Sequence, residues 1–226
     1  MSDAPDYGVA FGHWRQQAPS WQAYTRHQYV QGLTDGTLST DAFLHYLKQD
    51  YVFLIHFSRA WALAVAKADT LSEMTTAAAT VNALVNEEMS LHVGICEAAG
   101  ISASSLEATV ERAENLAYTR YVLEAGYSGD FLDLMAALAP CVFGYGEIGL
   151  QCAAASSSDT YSDWINTYAG DDYQSLCTSV GELIDGACEQ RLGPQFAQLP
   201  RFTQLAHRFE TATRLEVGFW DMGLQP

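Results

Sequence analysis

Residues 39–68 read STDAFLHYLKQDYVFLIHFSRAWALAVAKA, and their spacing decides the fold class. Phe43, Tyr46 and Leu47, Phe53 and Leu54, Phe57 and Trp61 recur every three or four positions. That is the period of one face of an α-helix, which turns about 100° per residue. Ser39 and Thr40 offer side-chain oxygens to cap a first turn, so the spacing predicts a helix from there to about Ala68. One step of the stripe is out of character. Seven residues after Phe43 stands Asp50, a carboxylate on the face that should be buried.

Outward from this stretch the same period recurs, and alternating strand-like runs are scarce, so the chain reads as all-α. A first helix is expected over about 9–33, closed by residues 32–37. Asp69-Thr70 caps a third, which runs to Gly100, and a fourth begins after the serines of 102–105 and reaches Glu124. Residues 126–130 separate it from a strongly apolar helix over 131–155, ended by the serines of 156–158. Two shorter helices follow near 160–169 and 171–192, then a loop marked by Pro194 and Pro200, then a last helix over 202–222. No linker or repeat divides the chain, so residues 1–226 are expected to form a single-domain helical bundle.

With 49% hydrophobic and 17% charged residues among 226, the composition is that of a packed globular chain rather than a disordered one. Eleven Lys and Arg against 27 Asp and Glu give a formal charge of -16, a field that repels nucleic acid and anionic membranes. Residues 1–7 hold no basic region followed by an apolar run, and no apolar stretch is expected to reach the roughly 20 residues of a transmembrane helix. A cytoplasmic protein is expected. The five cysteines, Cys96, Cys141, Cys152, Cys177 and Cys188, are odd in number and lack a CxxC pair, which argues against a disulfide framework or a zinc knuckle. Each is by default a small buried hydrophobe.

Asp50 has counterparts. On the last helix Phe202, Leu205 and Ala206, Phe209, Ala212, Phe219 and Trp220 form a stripe whose missing step is Glu216. On the third, Met74, Ala77 and Ala78, Val81, Leu84 and Val85 lead to Glu88, with His92 one turn later and Ile95 beyond. An unpaired buried carboxylate costs several kcal/mol, so such residues need partners or a ligand. Three of them on three helices read as a polar pocket in a bundle, against the plainer alternative of a hydrogen-bond network that fixes helix register. The apolar helix adds Pro140, expected to kink it, followed by Cys141 and, one turn on, Tyr145. A di-metal oxidase is the rival from another class, with Asp50, Glu88, His92 and Glu216 as ligands. Such sites typically take four carboxylates and two histidines, and only His92 lies on an inward stripe, since His45, His56 and His207 fall off theirs. Glu88 and His92 read better as a supporting network, and no metal is expected.

Across nearly the whole chain an ordered set of residues resembles the TenA/thiaminase II family. It includes His27, Tyr29-Val30, Leu33, Asp35-Gly36-Thr37-Leu38, Gln49-Asp50-Tyr51, Glu88-Met89-Ser90-Leu91-His92 and Ala117-Tyr118-Thr119. Leu138-Ala139-Pro140-Cys141, Tyr145, Glu147-Ile148-Gly149, Trp164-Ile165, Tyr168, Glu216 and Phe219-Trp220-Asp221-Met222 complete it. The resemblance implies a haem-oxygenase-like all-helical bundle that binds no haem and needs no cofactor. It implies a hydrolase that releases hydroxymethylpyrimidine from thiamin or from its aminomethylpyrimidine breakdown product, and a homo-oligomer, commonly a tetramer. By position Cys141 would be the nucleophile, Glu216 the acid/base, and Asp50 the carboxylate that grips the aminopyrimidine. Tyr118, Tyr145 and Tyr168 match pocket positions, and Phe53 stands where some members carry Tyr. Cys141 places the chain with the cysteine-type branch. A non-catalytic pyrimidine-binding protein would share every one of these features except the need for Cys141.

The chemistry such residues support is displacement at the methylene arm of a 4-aminopyrimidine. A thiolate adding to the neighbouring ring carbon breaks aromaticity and lets the amino group expel the leaving group. A buried carboxyl group favours its protonated form, which suits proton donation, and an ionised one accepts from the amidine edge of the ring.

Overall fold

The computed structural model describes residues 4–226; the expectation drawn from residues 1–7 therefore lies outside the described residues at 1–3. In chain order the helices are α1 (Val9–Gln17), α2 (Trp21–Thr25), α3 (Gln28–Asp35), α4 (Thr40–Lys67) and α5 (Leu71–Ala83). A π-helical turn (Leu84–Glu88) leads into α6 (Met89–Ala98), followed by α7 (Ala103–Glu107), α8 (Ala113–Ser128) and α9 (Phe131–Ala155). Then come α10 (Ser162–Ala169), α11 (Asp171–Leu192), a 3-10 turn (Phe196–Gln198) and α12 (Pro200–Gly223). No strand occurs among the described residues, and the all-α reading holds.

The chain forms two compact units: residues 39–134 with 218–226, and residues 1–38 with 135–217. In the first, α4 is the central element, packed against α5 and α8. Its stripe is buried as the spacing predicts, Phe43, Tyr46, Leu47, Phe53, Leu54, Phe57 and Trp61 all being inside, and Asp50 with them. Ser39 caps it, its hydroxyl accepting from the Ala42 N–H at 3.2 Å. Thr70 caps α5 in a reciprocal box: its hydroxyl accepts from Glu73 N–H, and the Glu73 carboxylate accepts from the N–H groups of Asp69 and Thr70.

Three of the expected helices are broken, each for a physical reason. The 9–33 segment divides because Ala18 is extended ahead of Pro19 and His27 is extended with its Nδ1 accepting from Tyr29 N–H. The 102–124 segment opens at 108–112, where Gln49 of α4 takes up the loop's polar groups: its amide donates to Val110 C=O and accepts from Arg112 N–H, both at 2.9 Å. The third break is the π-helical turn, which inserts one residue into the α register. Before it the buried face is Glu73, Ala77, Thr80 and Leu84; after it, His92 and Cys96, both fully buried. An uninterrupted α-helix would have carried that face through 91 and 95 instead. The stripe expected on this segment is therefore corrected: Met74 and Val85 are exposed, at 41% and 49%, and Glu88 is half-buried rather than inside.

In the second unit α11 packs against α1 and α10. The Asp185 carboxylate of α11 caps α1 from outside, accepting from the N–H groups of Val9 at 2.7 Å and Ala10 at 2.8 Å. Gly181 is needed beside it, because any Cβ there would strike the Tyr7 carbonyl. Pro140 sits inside α9 without ending it. This helix also corrects an expectation: it is long and apolar enough to cross a membrane, yet that apolar window is entirely buried within the protein. Gly149 lets the α10 backbone lie against α9, since a Cβ there would be 2.5 Å from the Tyr168 carbonyl carbon.

Candidate active site

The residues named from the sequence fall into two sets, one in each unit. In the first, Asp50 sits on the buried face of α4 at 3% exposure. Its Oδ2 takes two contacts, from the Tyr46 hydroxyl at 3.3 Å and from His92 Nε2 at 3.0 Å. His92 is fully enclosed, and its other ring nitrogen, Nδ1, lies 2.9 Å from the Glu88 carbonyl oxygen. Burial disfavours the imidazolium, but the Asp50 carboxylate, with Glu88 adding to it, outweighs that and raises the His92 pKa above the ordinary histidine value.

One turn beyond Asp50, Phe53 forms the centre of an aromatic cluster. It stacks on Phe57 with centroids 5.1 Å apart, meets Tyr118 of α8 at 5.1 Å and Phe219 at 5.5 Å. Tyr46 joins the same cluster through Phe219 and Trp220. Flat apolar faces beside an anionic acceptor suit a planar, amino-bearing ring.

In the second set Cys141 follows Pro140 on α9. It keeps 9% of its surface, whereas Cys96, Cys152, Cys177 and Cys188 keep 0–1%. Burial pushes the thiols of Cys96 and Cys152 up, and that of Cys177 to about 12, so none of these three is poised to ionise. Tyr145, one turn from Cys141, meets Tyr168 at 4.9 Å and Trp164 at 5.9 Å, and Tyr168 in turn meets Tyr173 edge-on at 4.9 Å. Glu216 is carried by α12 at 1% exposure.

Sequence reasoning missed three members of these sets and one pairing. Tyr46 was read only as a core residue, Trp164 only as a landmark and Tyr173 not at all, and the pairing of His92 with Asp50 joins residues 42 positions apart that no local pattern connects. Among the described residues no group of three or more His, Cys, Asp or Glu side chains is arranged to hold a metal ion.

A family model described as TENA/THI-4/PQQC matches residues 14–225. The chain is 37% identical over 207 residues to an aminopyrimidine aminohydrolase of Halalkalibacterium halodurans, covering 90% of each. It is 33% identical over 205 residues to the aminopyrimidine aminohydrolase of Bacillus subtilis, covering 89% of this chain and 84% of that one. Among solved structures, one described as a TenA family transcription regulator from Silicibacter sp. TM1040 is 65% identical, covers both chains fully and superposes with a TM-score of 0.97. The resemblance read from the sequence is borne out.

Proposed function

The chain belongs to the TENA/THI-4/PQQC family, and from that premise we propose that it is a hydrolase of thiamin salvage, releasing 4-amino-5-hydroxymethyl-2-methylpyrimidine from its 5-aminomethyl counterpart or from thiamin. The observation that carries this reading is the near full-length similarity to enzymes named aminopyrimidine aminohydrolase. Cys141 is the nucleophile in this reading, supported by its being the one cysteine with more than 1% of its surface accessible. Its thiolate bonds to the ring carbon beside the one bearing the arm. A ring nitrogen gains a proton from Glu216, and the amino-group electrons expel the leaving amine, which takes with it a proton released by that amino group. Water then adds to the exocyclic methylene, its proton restoring the amino group, and the carbon–sulfur bond breaks as the ring nitrogen returns its proton to Glu216.

Asp50 accepts hydrogen bonds from the aminopyrimidine, with Phe53 and Tyr118 as flat contacts and Tyr145 and Tyr168 near the nucleophile. The protein acts in the cytoplasm as a homo-oligomer, a tetramer in this reading, within one catalytic domain. A role as a transcription regulator, the description of the Silicibacter protein, is disfavoured by the charge of -16, which repels DNA.

The test is product formation from 4-amino-5-aminomethyl-2-methylpyrimidine and from thiamin, wild type against Cys141→Ser. Hydroxymethylpyrimidine made by the wild type and lost in the variant upholds the reading. Ligand binding without product from either substrate would replace it with a binding role.

A further inference from the structure

The contacts around His92 bear directly on its charge. A backbone carbonyl can only accept, so Nδ1, 2.9 Å from the Glu88 carbonyl oxygen, must carry a hydrogen. In a neutral ring Nε2 would then be a bare lone pair, facing a carboxylate oxygen at 3.0 Å with nothing between them. Against an ionised Asp50, both contacts are attractive only when both nitrogens are protonated. The charged groups acting on the ring are Asp50 from α4 and Glu88 one turn before it, both acidic. The third element against α6, α7, buries only Leu106.

The pairing is asymmetric. His92 and the Tyr46 hydroxyl both engage Oδ2 of Asp50, and neither contact uses Oδ1. Nor is the placement of His92 incidental, since the π-helical turn is the device that rotates position 92, rather than 91, onto the buried face. π-Helical turns of this kind commonly mark functional positions.

Resting on the aminopyrimidine reading above, we infer that His92 is a positioning residue: as an imidazolium it holds Oδ2 of Asp50 and so presents Oδ1 to the exocyclic amino group of the substrate. The ring does not touch the substrate; it orients the group that does. Because the loss concerns recognition common to ground and transition states, removing His92 raises KM and leaves kcat largely intact. Above the pH at which His92 loses its proton the ion pair that holds Oδ2 is gone, so KM rises on the alkaline side.

The experiment has two arms. Protein labelled with 15N-histidine is titrated by NMR, the His92→Gln variant identifying the His92 signals by their loss. KM and kcat for 4-amino-5-aminomethyl-2-methylpyrimidine are measured across the same pH range for wild type, His92→Gln and His92→Leu. Two protonated ring nitrogens are expected at neutral pH. His92→Leu should raise KM on the order of tenfold with kcat changed less than about threefold. His92→Gln, whose amide can still donate but does not titrate, should recover much of the affinity and lose the alkaline rise; it also serves if the leucine variant does not fold. A neutral ring at neutral pH, KM unchanged in both variants, or an alkaline rise that persists in His92→Gln would each overturn the inference. If the wild type binds 4-amino-5-hydroxymethyl-2-methylpyrimidine but hydrolyses nothing, the hydrolase reading fails alone. The Kd for that pyrimidine across the same variants then decides the role of His92.

Discussion

Arg15 and Glu147 meet side-on, Nε to Oε2 at 2.7 Å and Nη2 to Oε1 at 2.8 Å, a bidentate pair that ties α1 to α9 across 132 positions of sequence. The remaining capacity of the carboxylate is used as well, by Trp21 Nε1 on Oε2 and Gln151 Nε2 on Oε1. With four donors on its two oxygens, the Glu147 side chain ties the elements around it together. Glu147→Ala leaves the guanidinium and the indole N–H without their acceptor and should cost about 3 kcal/mol or more. The check is the urea midpoint, and Glu147→Ala within about 1 kcal/mol of wild type by that measure would refute the role.

The cysteines give a second contrast. Cys141→Ser should lower turnover by on the order of 10³-fold or more while leaving the thermal midpoint near wild type. Cys177→Ser should leave turnover alone, since its thiol is sealed and held at about 12. Equal losses in the two variants would show that neither acts as nucleophile.

The His92–Asp50 pair also predicts a stability profile. The folded pKa of His92 is raised above its unfolded value, so its contribution is fully present below the ordinary histidine range and is lost as pH rises through the folded pKa. Denaturant midpoints of wild type should therefore fall on the alkaline side, relative to those of His92→Gln. Parallel curves for the two proteins would contradict the pairing.

At the start of α5, Thr70→Ala removes one arm of the capping box and should cost about 1 kcal/mol. Thr75→Ala is the control, since its exposed hydroxyl bonds only back to Leu71 C=O. Equal midpoints for Thr70→Ala and wild type in thermal unfolding would count against the cap.

Deleting Asn86 from the π-helical turn should restore an ordinary α-helix and keep His92 and Cys96, each now one position earlier, on the buried face. Helix content by circular dichroism and affinity for the aminopyrimidine should therefore both persist, whereas inserting an alanine after Met89 should turn the two residues off that face and weaken binding. Affinity lost on the deletion, or kept on the insertion, would contradict this account of the register.

Much of the architecture was legible because long helices repeat their signal. α4, α9 and α11 end within a residue or two of where periodicity and flanking turn residues put them, and Asp50 and Glu216 were visible as polar steps in apolar stripes that are indeed buried. The break at Pro19 was written in the sequence and went unread, since a residue before proline is pushed out of the helical region. The π-helical turn was not readable. The residues at its ends have ordinary helical dihedrals, so the extra residue leaves no local mark, and a stripe continued at the α-helical period from Leu84 lands on Glu88, which is only half-buried. The loop at 108–112 was hidden for a similar reason: its backbone groups are satisfied by Gln49, some 60 positions earlier.

The cap that Asp185 places on α1 has a consequence for how the chain comes off the ribosome. Residues 1–38 belong to a unit whose other part begins at Met135, so for roughly a hundred residues of synthesis the first helices have no partners of their own unit. Only when position 185 clears the exit tunnel can the amino end of α1 be sealed. The middle of the gene thus encodes what can begin to settle early, short only of Phe219 and Trp220, and its beginning encodes what must wait, a long-range closure of the kind that slows folding.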